Sequence, residues 1–193
     1  MKYNAEIHHR RSIRLQGYDY SSAGAYFVTL CTQNHECLFG EISNRKMILN
    51  AAGEMINIIL QQIPDFYPDN DIDEFVVMPD HIHTIIIVGA GPRVCPSVFA
   101  STGNPQGGIG QPRGVSPTGL PLPDMVSRIK SMTTKLYSDG VKQSGWQPFN
   151  GKLWQRNYYE HIIRNENELF QIREYVDNNP ANWEIDAPGQ PVF

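Results

Sequence analysis

Hydrophobic and polar positions form short periodic blocks along most of the chain, and each block predicts one element. Runs rich in β-branched and aromatic residues predict strands at residues 25–32, 38–49 (a strand followed by a turn), 73–78, 82–88 and 154–163. Apolar residues spaced by three and four predict amphipathic helices at residues 51–63, 125–137 and 166–178. Pro64 and Pro180 are predicted to end the first and the last of these helices.

The order of these elements, β-β-α-β-β-α-β-α, indicates the fold class. Because strands and helices do not alternate regularly, it favours an α+β fold with a mostly antiparallel sheet and helices on one face. The 193 residues suffice for a single domain, 1–193. Residues 89–124 contain eight glycines and seven prolines, a composition that cannot bury enough apolar surface to offset the entropy of ordering. We therefore predict a mobile insertion there, within the one domain.

Composition narrows the class of protein. A hydrophobic fraction of 40% and a charged fraction of 19% are typical of a soluble globular chain. No apolar run approaches the length of a membrane span, and the polar, basic N-terminus lacks the core of a signal peptide, so we expect a cytoplasmic protein. Cys31, Cys37 and Cys95 form no CxxC pair, which argues against a disulfide framework or a structural zinc module.

The charges are segregated along the chain. The net charge of −4 argues mildly against a nucleic-acid partner. However, residues 41–80 carry eight acids against two bases, whereas residues 125–175 carry eight bases against five acids. A basic face on an acidic body is compatible with binding of a phosphate backbone, although a random surface could also show it.

Two histidines open the most apolar predicted strand. Since side chains alternate between the faces of a strand, His81 and His83 project from the same side and Ile82 points away. Two imidazoles so placed can bind one divalent metal ion or one phosphate. The alternative is a half-buried strand that carries two histidines without a function.

A tyrosine and an amide lie one turn apart in the last predicted helix. Tyr175 is at the edge of the apolar stripe and Asn179 follows four residues later, so both side chains can face a common point. A tyrosine with a pKa of about 10 is a poor nucleophile and would need activation by a base, a cation or a metal. The alternative is an ordinary aromatic at the helix edge and an ordinary helix-ending asparagine.

Several blocks together resemble a known family. These are Met-Pro-Asp-His-Ile-His-Thr-Ile-Ile-Ile-Val at 78–88, Trp-Gln-Arg-Asn-Tyr-Tyr-Glu-His-Ile-Ile-Arg-Asn-Glu at 154–166, Ile-Arg-Glu-Tyr-Val-Asp-Asn-Asn-Pro at 172–180, and Arg-Arg-Ser-Ile-Arg-Leu with Gly-Tyr-Asp-Tyr at 10–20. In this order they resemble the REP-associated tyrosine transposases, a branch of the single-tyrosine His-hydrophobic-His transposases. The resemblance covers roughly residues 8–88 and 122–186.

This resemblance implies a function and a site. Tyr175 would attack a phosphate of single-stranded or hairpin DNA, forming a 5′-phosphotyrosine and releasing a 3′-hydroxyl. His81, His83 and Asn179 would hold magnesium or manganese. The fold would be a small antiparallel palm, similar to a ferredoxin or an RNA-recognition motif, with the tyrosine on the C-terminal helix. Asp80 departs from the asparagine typical of this branch, which could alter metal affinity.

The resemblance also implies partners and leaves alternatives open. DNA is the expected partner, with no membrane, a nucleoid-associated location and either a monomer or a homodimer. The basic residues expected to contact DNA are Arg10, Arg11, Arg14, Lys130, Arg156, Arg164 and Arg173. Tyr158 or Tyr159 could replace Tyr175 as the nucleophile, and His161 could be a third ligand, a buried residue or a DNA contact. Trp154 could stack on a base or fill the core. The alternative function is a hairpin-binding protein of the same fold without strand transfer.

Overall fold

A computed structural model describes residues 15, 17–89 and 119–183 of the chain. This part contains six strands, β1 Gly24–Cys31, β2 Gly40–Ser43, β3 Lys46–Leu49, β4 Asn70–Val77, β5 His81–Val88 and β6 Tyr159–Ile163. It also contains three α-helices, α1 Ala51–Phe66, α2 Leu122–Ser144 and α3 Glu166–Asn182, and a short 3-10 turn, Gln33–His35. None of these helices is long and apolar enough to cross a membrane.

Four strands form one antiparallel sheet in the order β4-β5-β1-β6. The central strand β1 sets the register of the sheet, because Thr29 lies opposite His83 on one side and Tyr159 on the other. Strands β2 and β3 form a separate hairpin whose turn residues Asn44 and Arg45 both have positive φ angles. The predicted strand and turn at 38–49 is thus a complete two-stranded hairpin.

The sheet is covered by helices on both faces. Helices α1 and α2 pack with Tyr26, Val28 and Ile86 in the larger core, and α3 packs on the opposite face against Phe27 and Ile85. The predicted α+β fold with an antiparallel sheet and a C-terminal helix bearing Tyr175 is confirmed. The helices, however, are not confined to one face. Every residue of β5 is buried, so both of its faces need a covering layer.

Neither proline ends its helix as predicted. Pro64 lies inside α1, which continues to Phe66, and Pro180 lies inside α3, which continues to Asn182. Proline fixes a φ angle compatible with a helix and removes a single hydrogen bond, a loss that tertiary packing can offset near a helix end. The continuation of α3 brings the ring of Trp183 against that of His81.

The last strand of the sheet is shorter than predicted. Trp154 forms only an isolated bridge to Thr32, and β6 begins at Tyr159. The segment between them wraps around the Lys130 ammonium group, whose Nζ donates to the carbonyl oxygens of residues 155, 156 and 157 at 2.8, 3.4 and 3.2 Å. Carbonyls engaged in this way are drawn away from a sheet ladder, which explains the late start of the strand.

The predicted insertion, 89–124, lies mostly outside the described residues. Its last part does not, because α2 begins at Leu122, three residues before the predicted start, and Leu122 is fully buried. The two described edges of the segment approach each other closely. A Cβ atom added to Gly119 would stand 2.9 Å from the backbone nitrogen of Gly89, and Asn70 binds both backbone groups of Leu120 at 2.8 and 2.9 Å.

We expect that residues 92–117 can be replaced by a four-residue Gly/Ser bridge with little change in melting temperature. A short bridge can join the adjacent edges, and the entropy of loop closure depends only logarithmically on loop length. Thermal unfolding followed by circular dichroism provides the measurement, with the full-length chain as control. A drop of more than about 8 °C, roughly the effect of 2–4 kcal/mol in a domain of this size, would contradict the single-domain partition.

Candidate active site

The start of β5 brings two imidazole rings together on the face covered by α3. His81 and His83 alternate with Ile82, which points into the larger core on the other face. The two Nε2 atoms are 3.1 Å apart, and both side chains are buried. The predicted same-face arrangement of the histidines is therefore present.

The second nitrogen of each ring has a partner. His81 Nδ1 lies 2.6 Å from Asp80 Oδ1, and His83 Nδ1 lies 2.8 Å from Thr29 Oγ1. A carboxylate can only accept, so His81 Nδ1 carries the proton and its Nε2 presents a lone pair. The Thr29 hydroxyl can donate or accept, and when it accepts, His83 Nε2 also presents a lone pair. Each ring is thus oriented by a hydrogen bond at the nitrogen remote from the other ring.

The electrostatics of the site favour neutral imidazole at His83 beside a charged carboxylate. Burial, together with the neighbouring His81, holds the pKa of His83 well below its ordinary value, so the ring is neutral near pH 7. Burial alone would raise the pKa of Asp80, but hydrogen bonds from His81 and His35 outweigh it and lower the pKa of this carboxyl group. A neutral imidazole next to a hydrogen-bonded imidazole–carboxylate pair is a typical arrangement of metal-binding histidines.

Tyr175 reaches the histidines from α3. Its hydroxyl oxygen lies 3.5 Å from His83 Nε2, and the two ring centroids are 5.3 Å apart. Phe27 packs against both rings, stacked on His83 at 5.2 Å and edge-on to Tyr175 at 6.0 Å. The side chain of Tyr175 is half-buried, and this packing defines its position.

Asn179 follows Tyr175 by one helical turn and is buried on the side of α3 that faces the sheet. Among the described residues, no three His, Cys, Asp or Glu side chains converge on one point, so an ion here would need an amide or water to complete its shell. The imidazoles fit an octahedral ion, because two ligand atoms that each lie about 2.1 Å from one metal, at right angles to each other, stand about 3 Å apart. The observed separation is 3.1 Å.

The structure adds contacts that the sequence pattern did not predict. Asp80 Oδ2 binds His35 Nδ1 at 2.9 Å, and the ring of Trp183 stacks on His81 with centroids 5.7 Å apart. Thr29 is a third addition. No local pattern points to these residues. Thr29 is a polar residue on an otherwise apolar strand, and it could have been recognised as a partner of His83 only if the pairing of β1 with β5 had been known.

The alternative candidates are held by other contacts, and of these candidates Tyr159 is on the same face of the sheet as the histidine pair. The Tyr158 ring packs under the Lys130 ammonium group, and Tyr159 lies on β6 next to Phe27. His161 Nε2 is 2.7 Å from Glu168 at the start of α3. Trp154 is buried and donates its indole N–H to Thr133 at 2.9 Å, so it fills the core.

The described basic residues do not form one cluster. Lys130 and Arg156 border an open cavity of about 560 Å³ between α2 and the segment 149–156, and Lys135 and Lys152 line it as well. Arg173 makes a two-bond ion pair with Asp73 on β4, and Arg164 is exposed at the start of α3. Burial lowers the pKa of Lys130 to about 8. Arg10, Arg11 and Arg14 lie outside the described residues.

Comparison with known proteins defines the class of fold first. The structure of a REP-associated tyrosine transposase bound to a REP hairpin superposes with a TM-score of 0.50 over 90% of this chain and 74% of that one, at 17% sequence identity. The chain therefore has the fold of that transposase, as the resemblance of its motifs implied. No protein-family model matches the sequence.

Sequence comparison then gives the family. A protein of Haemophilus influenzae, described as uncharacterized, is 44% identical over 191 residues, which cover 96% of each chain. The chain belongs to the same family as this protein.

Proposed function

We propose that the protein is a metal-dependent DNA transesterase that nicks and rejoins single-stranded or hairpin-containing DNA through Tyr175. The observation that carries this proposal is the placement of the Tyr175 hydroxyl 3.5 Å from one of two imidazole nitrogens that are themselves 3.1 Å apart. A nucleophile and a pair of ligands come from distant elements to one point, on a fold that a hairpin-bound transposase shares.

The chain's own groups define the bond changes. The Tyr175 oxygen forms a bond to phosphorus and the bond from phosphorus to the 3′ oxygen of the preceding nucleotide breaks. The phenol loses its proton to the medium, and the departing oxygen takes one up and leaves as a 3′-hydroxyl. The reverse attack by a 3′-hydroxyl rejoins a strand and restores the phenol. Phe27 holds the phenol ring at the edge of His83 throughout.

His81, His83 and Asn179 would hold the ion, which the resemblance implies to be magnesium or manganese. When bound, it would polarise a phosphate oxygen and so stabilise charge in the transition state. Asp80 keeps the Nε2 lone pair of His81 available for it, and Thr29 does the same for His83 when its hydroxyl accepts from Nδ1. The neutral state of His83, favoured by burial, removes competition from a proton at that nitrogen.

The test is an assay for a covalent adduct. The purified protein is incubated with 5′- or 3′-labelled hairpin DNA and manganese, then denatured and resolved on a gel. With 3′-labelled DNA we expect a slower-migrating DNA–protein band, because the protein is joined to the strand on the 3′ side of the nick. With 5′-labelled DNA the label should stay on the released strand. Hairpin binding without any adduct, under conditions in which the protein holds manganese, would favour the alternative of a binding protein without strand transfer.

We further propose that the cavity bordered by α2 contacts the DNA backbone. Lys152 and Arg156 are exposed at its rim, whereas the Lys130 ammonium group is committed to three carbonyl oxygens and Lys135 pairs with Asp139 at 2.8 Å. The two rim residues are therefore the best placed to neutralise phosphates. The expected DNA contacts are therefore limited to this cavity, rather than spread over the whole basic segment 125–175.

Charge reversal at the rim of this cavity should weaken hairpin binding. For Lys152→Glu or Arg156→Glu we expect lower affinity and a salt dependence of log K that is shallower by about 0.7 for each lost phosphate contact. The matched control is Lys46→Glu, which makes the same change at an exposed end of the β2–β3 hairpin. Fluorescence anisotropy over a range of salt concentrations provides the measurement. An equal loss of hairpin affinity in Lys46→Glu would mean that the cavity does not contact DNA.

A further inference from the structure

Asp80 connects His81 to a second histidine that the proposed mechanism does not use. Its Oδ1 lies 2.6 Å from His81 Nδ1, and its Oδ2 lies 2.9 Å from His35 Nδ1. The carboxylate is almost completely buried, whereas His35 is about one-third exposed. A buried carboxylate must have its acceptor sites filled, and here two imidazoles fill one oxygen each.

The hydrogen bonds continue past His35 and return to strand β1. His35 Nε2 lies 3.1 Å from the side-chain amide nitrogen of Gln155, and the Gln155 backbone N–H donates to the Cys31 carbonyl at 2.9 Å. Cys31 is the residue of β1 that pairs with His81 of β5. This chain of hydrogen bonds, here called the circuit, runs from His81 through Asp80, His35 and Gln155 to Cys31, the residue opposite His81 in the sheet register.

The loop that carries His35 is itself fixed against the site. Thr32 donates its backbone N–H to the Asp80 carbonyl at 2.8 Å, and Gln33 donates to Leu153 at the same distance. Asn34 and His35 both have φ angles near +60°, a conformation that non-glycine residues adopt only when their surroundings require it. The turn bends sharply in order to place His35 against the carboxylate.

We propose that Asp80 and His35 are positioning residues that fix the ring of His81 with its Nε2 lone pair directed toward His83. Without the carboxylate, the ring could rotate and present either nitrogen, or carry its proton on Nε2. Without His35, one oxygen of the carboxylate would lose its partner and the group could turn away. The inference rests on the proposed function because it concerns a ligand of the proposed metal site.

The first test reads the ring of His81 directly and needs neither metal nor DNA. Long-range ¹H–¹⁵N correlation spectra of ¹⁵N-histidine-labelled protein at pH 8.5 report which ring nitrogen carries the proton. We expect His81 to carry it on Nδ1 in the wild type and in Asp80→Asn, whose amide oxygen can still accept, and to show a mixture in Asp80→Ala. A wild-type His81 protonated on Nε2, or an unchanged spectrum in Asp80→Ala, would overturn the proposal.

The second test measures manganese binding by the protein alone, from the electron paramagnetic resonance of the unbound ion. We expect Asp80→Ala to weaken binding by roughly 10- to 100-fold, the usual effect of losing a group that orients a metal-binding histidine. Asp80→Asn should recover most of this loss. His35→Ala should weaken binding by roughly 5- to 10-fold with a small change in melting temperature. Wild-type affinity in both alanine variants would overturn the proposal.

His161→Ala is the matched control. It also removes a partly exposed histidine that binds a carboxylate, Glu168, at 2.7 Å, but this histidine lies on the edge strand β6, which pairs with β1 and not with β5. It should leave manganese affinity and the His81 spectrum unchanged. A protein that positions His81 as expected but forms no DNA adduct would disprove the proposed function and leave this inference standing, so the two failures are distinguishable.

Discussion

Tyr175→Phe should abolish formation of the covalent DNA adduct while hairpin binding stays within about twofold of the wild type. The substitution removes one oxygen atom, and without it no bond to phosphorus can form. Loss of a nucleophile in other enzymes costs on the order of 10⁶ in rate, so the adduct should fall below detection. The ring and its packing on Phe27 and His83 remain, and the 3.5 Å contact of the hydroxyl is long, so stability should change by less than about 1 kcal/mol.

Tyr158→Phe and Tyr159→Phe are the matched controls because each removes a hydroxyl from a tyrosine of the same C-terminal region. Both should keep adduct formation, since Tyr158 packs against Lys130 on the other side of the sheet and no hydrogen bond joins Tyr159 to the histidine pair in the described structure. Mass spectrometry of the adduct after nuclease and protease digestion identifies the modified peptide. An adduct on Tyr159 in the Tyr175→Phe variant would show that the assignment of the nucleophile is wrong.

Local periodicity predicted most of the elements of the fold because the information lies within each segment. The β-branched run of β5 and the three-and-four spacing in α1 and α3 form the predicted elements, with shifts of a few residues at the ends. The placement of α3 on the opposite face of the sheet could not be predicted in this way. It depends on which helix reaches each face of the assembled sheet, although the unbroken apolar run 85–88 is itself a sign that both faces of β5 are covered.

The candidate site divides along the same line. The histidine pair follows from the two-residue period of one strand, and the spacing of Tyr175 and Asn179 follows from one helix. The partners of the histidines come from segments far away in sequence, with His35 lying 45 positions before Asp80. Their approach depends on a turn with two positive φ angles and on the pairing of β1 with β5, neither of which a periodic pattern encodes.

The wrong predictions at Pro64, Pro180 and Trp154 share a cause. Each rested on a local rule that tertiary contacts override. Helices α1 and α3 continue through proline while packed on the core, and the carbonyl oxygens that follow Trp154 bind Lys130 instead of joining a ladder. Because α3 was predicted to end before Pro180, the stacking of Trp183 on His81 was not predicted.

Replacing either histidine should impair cleavage without preventing folding. For His81→Ala or His83→Ala we expect adduct formation to slow by on the order of 100-fold or more, the scale seen when electrostatic stabilisation at a reacting centre is lost. Each variant keeps Tyr175 and should still bind the hairpin.

Adding EDTA to the wild type should slow adduct formation to a similar extent, and excess manganese should restore it. Quenched-flow or gel-based rates provide the measurement, with His161→Ala as a control that removes an imidazole on the edge strand β6. Two results together would remove the metal from the mechanism: cleavage that continues undiminished in EDTA, and loss of activity in His83→Ala alone. The 3.5 Å contact between His83 Nε2 and the Tyr175 hydroxyl would then be interpreted as a contact between a proton acceptor and its donor.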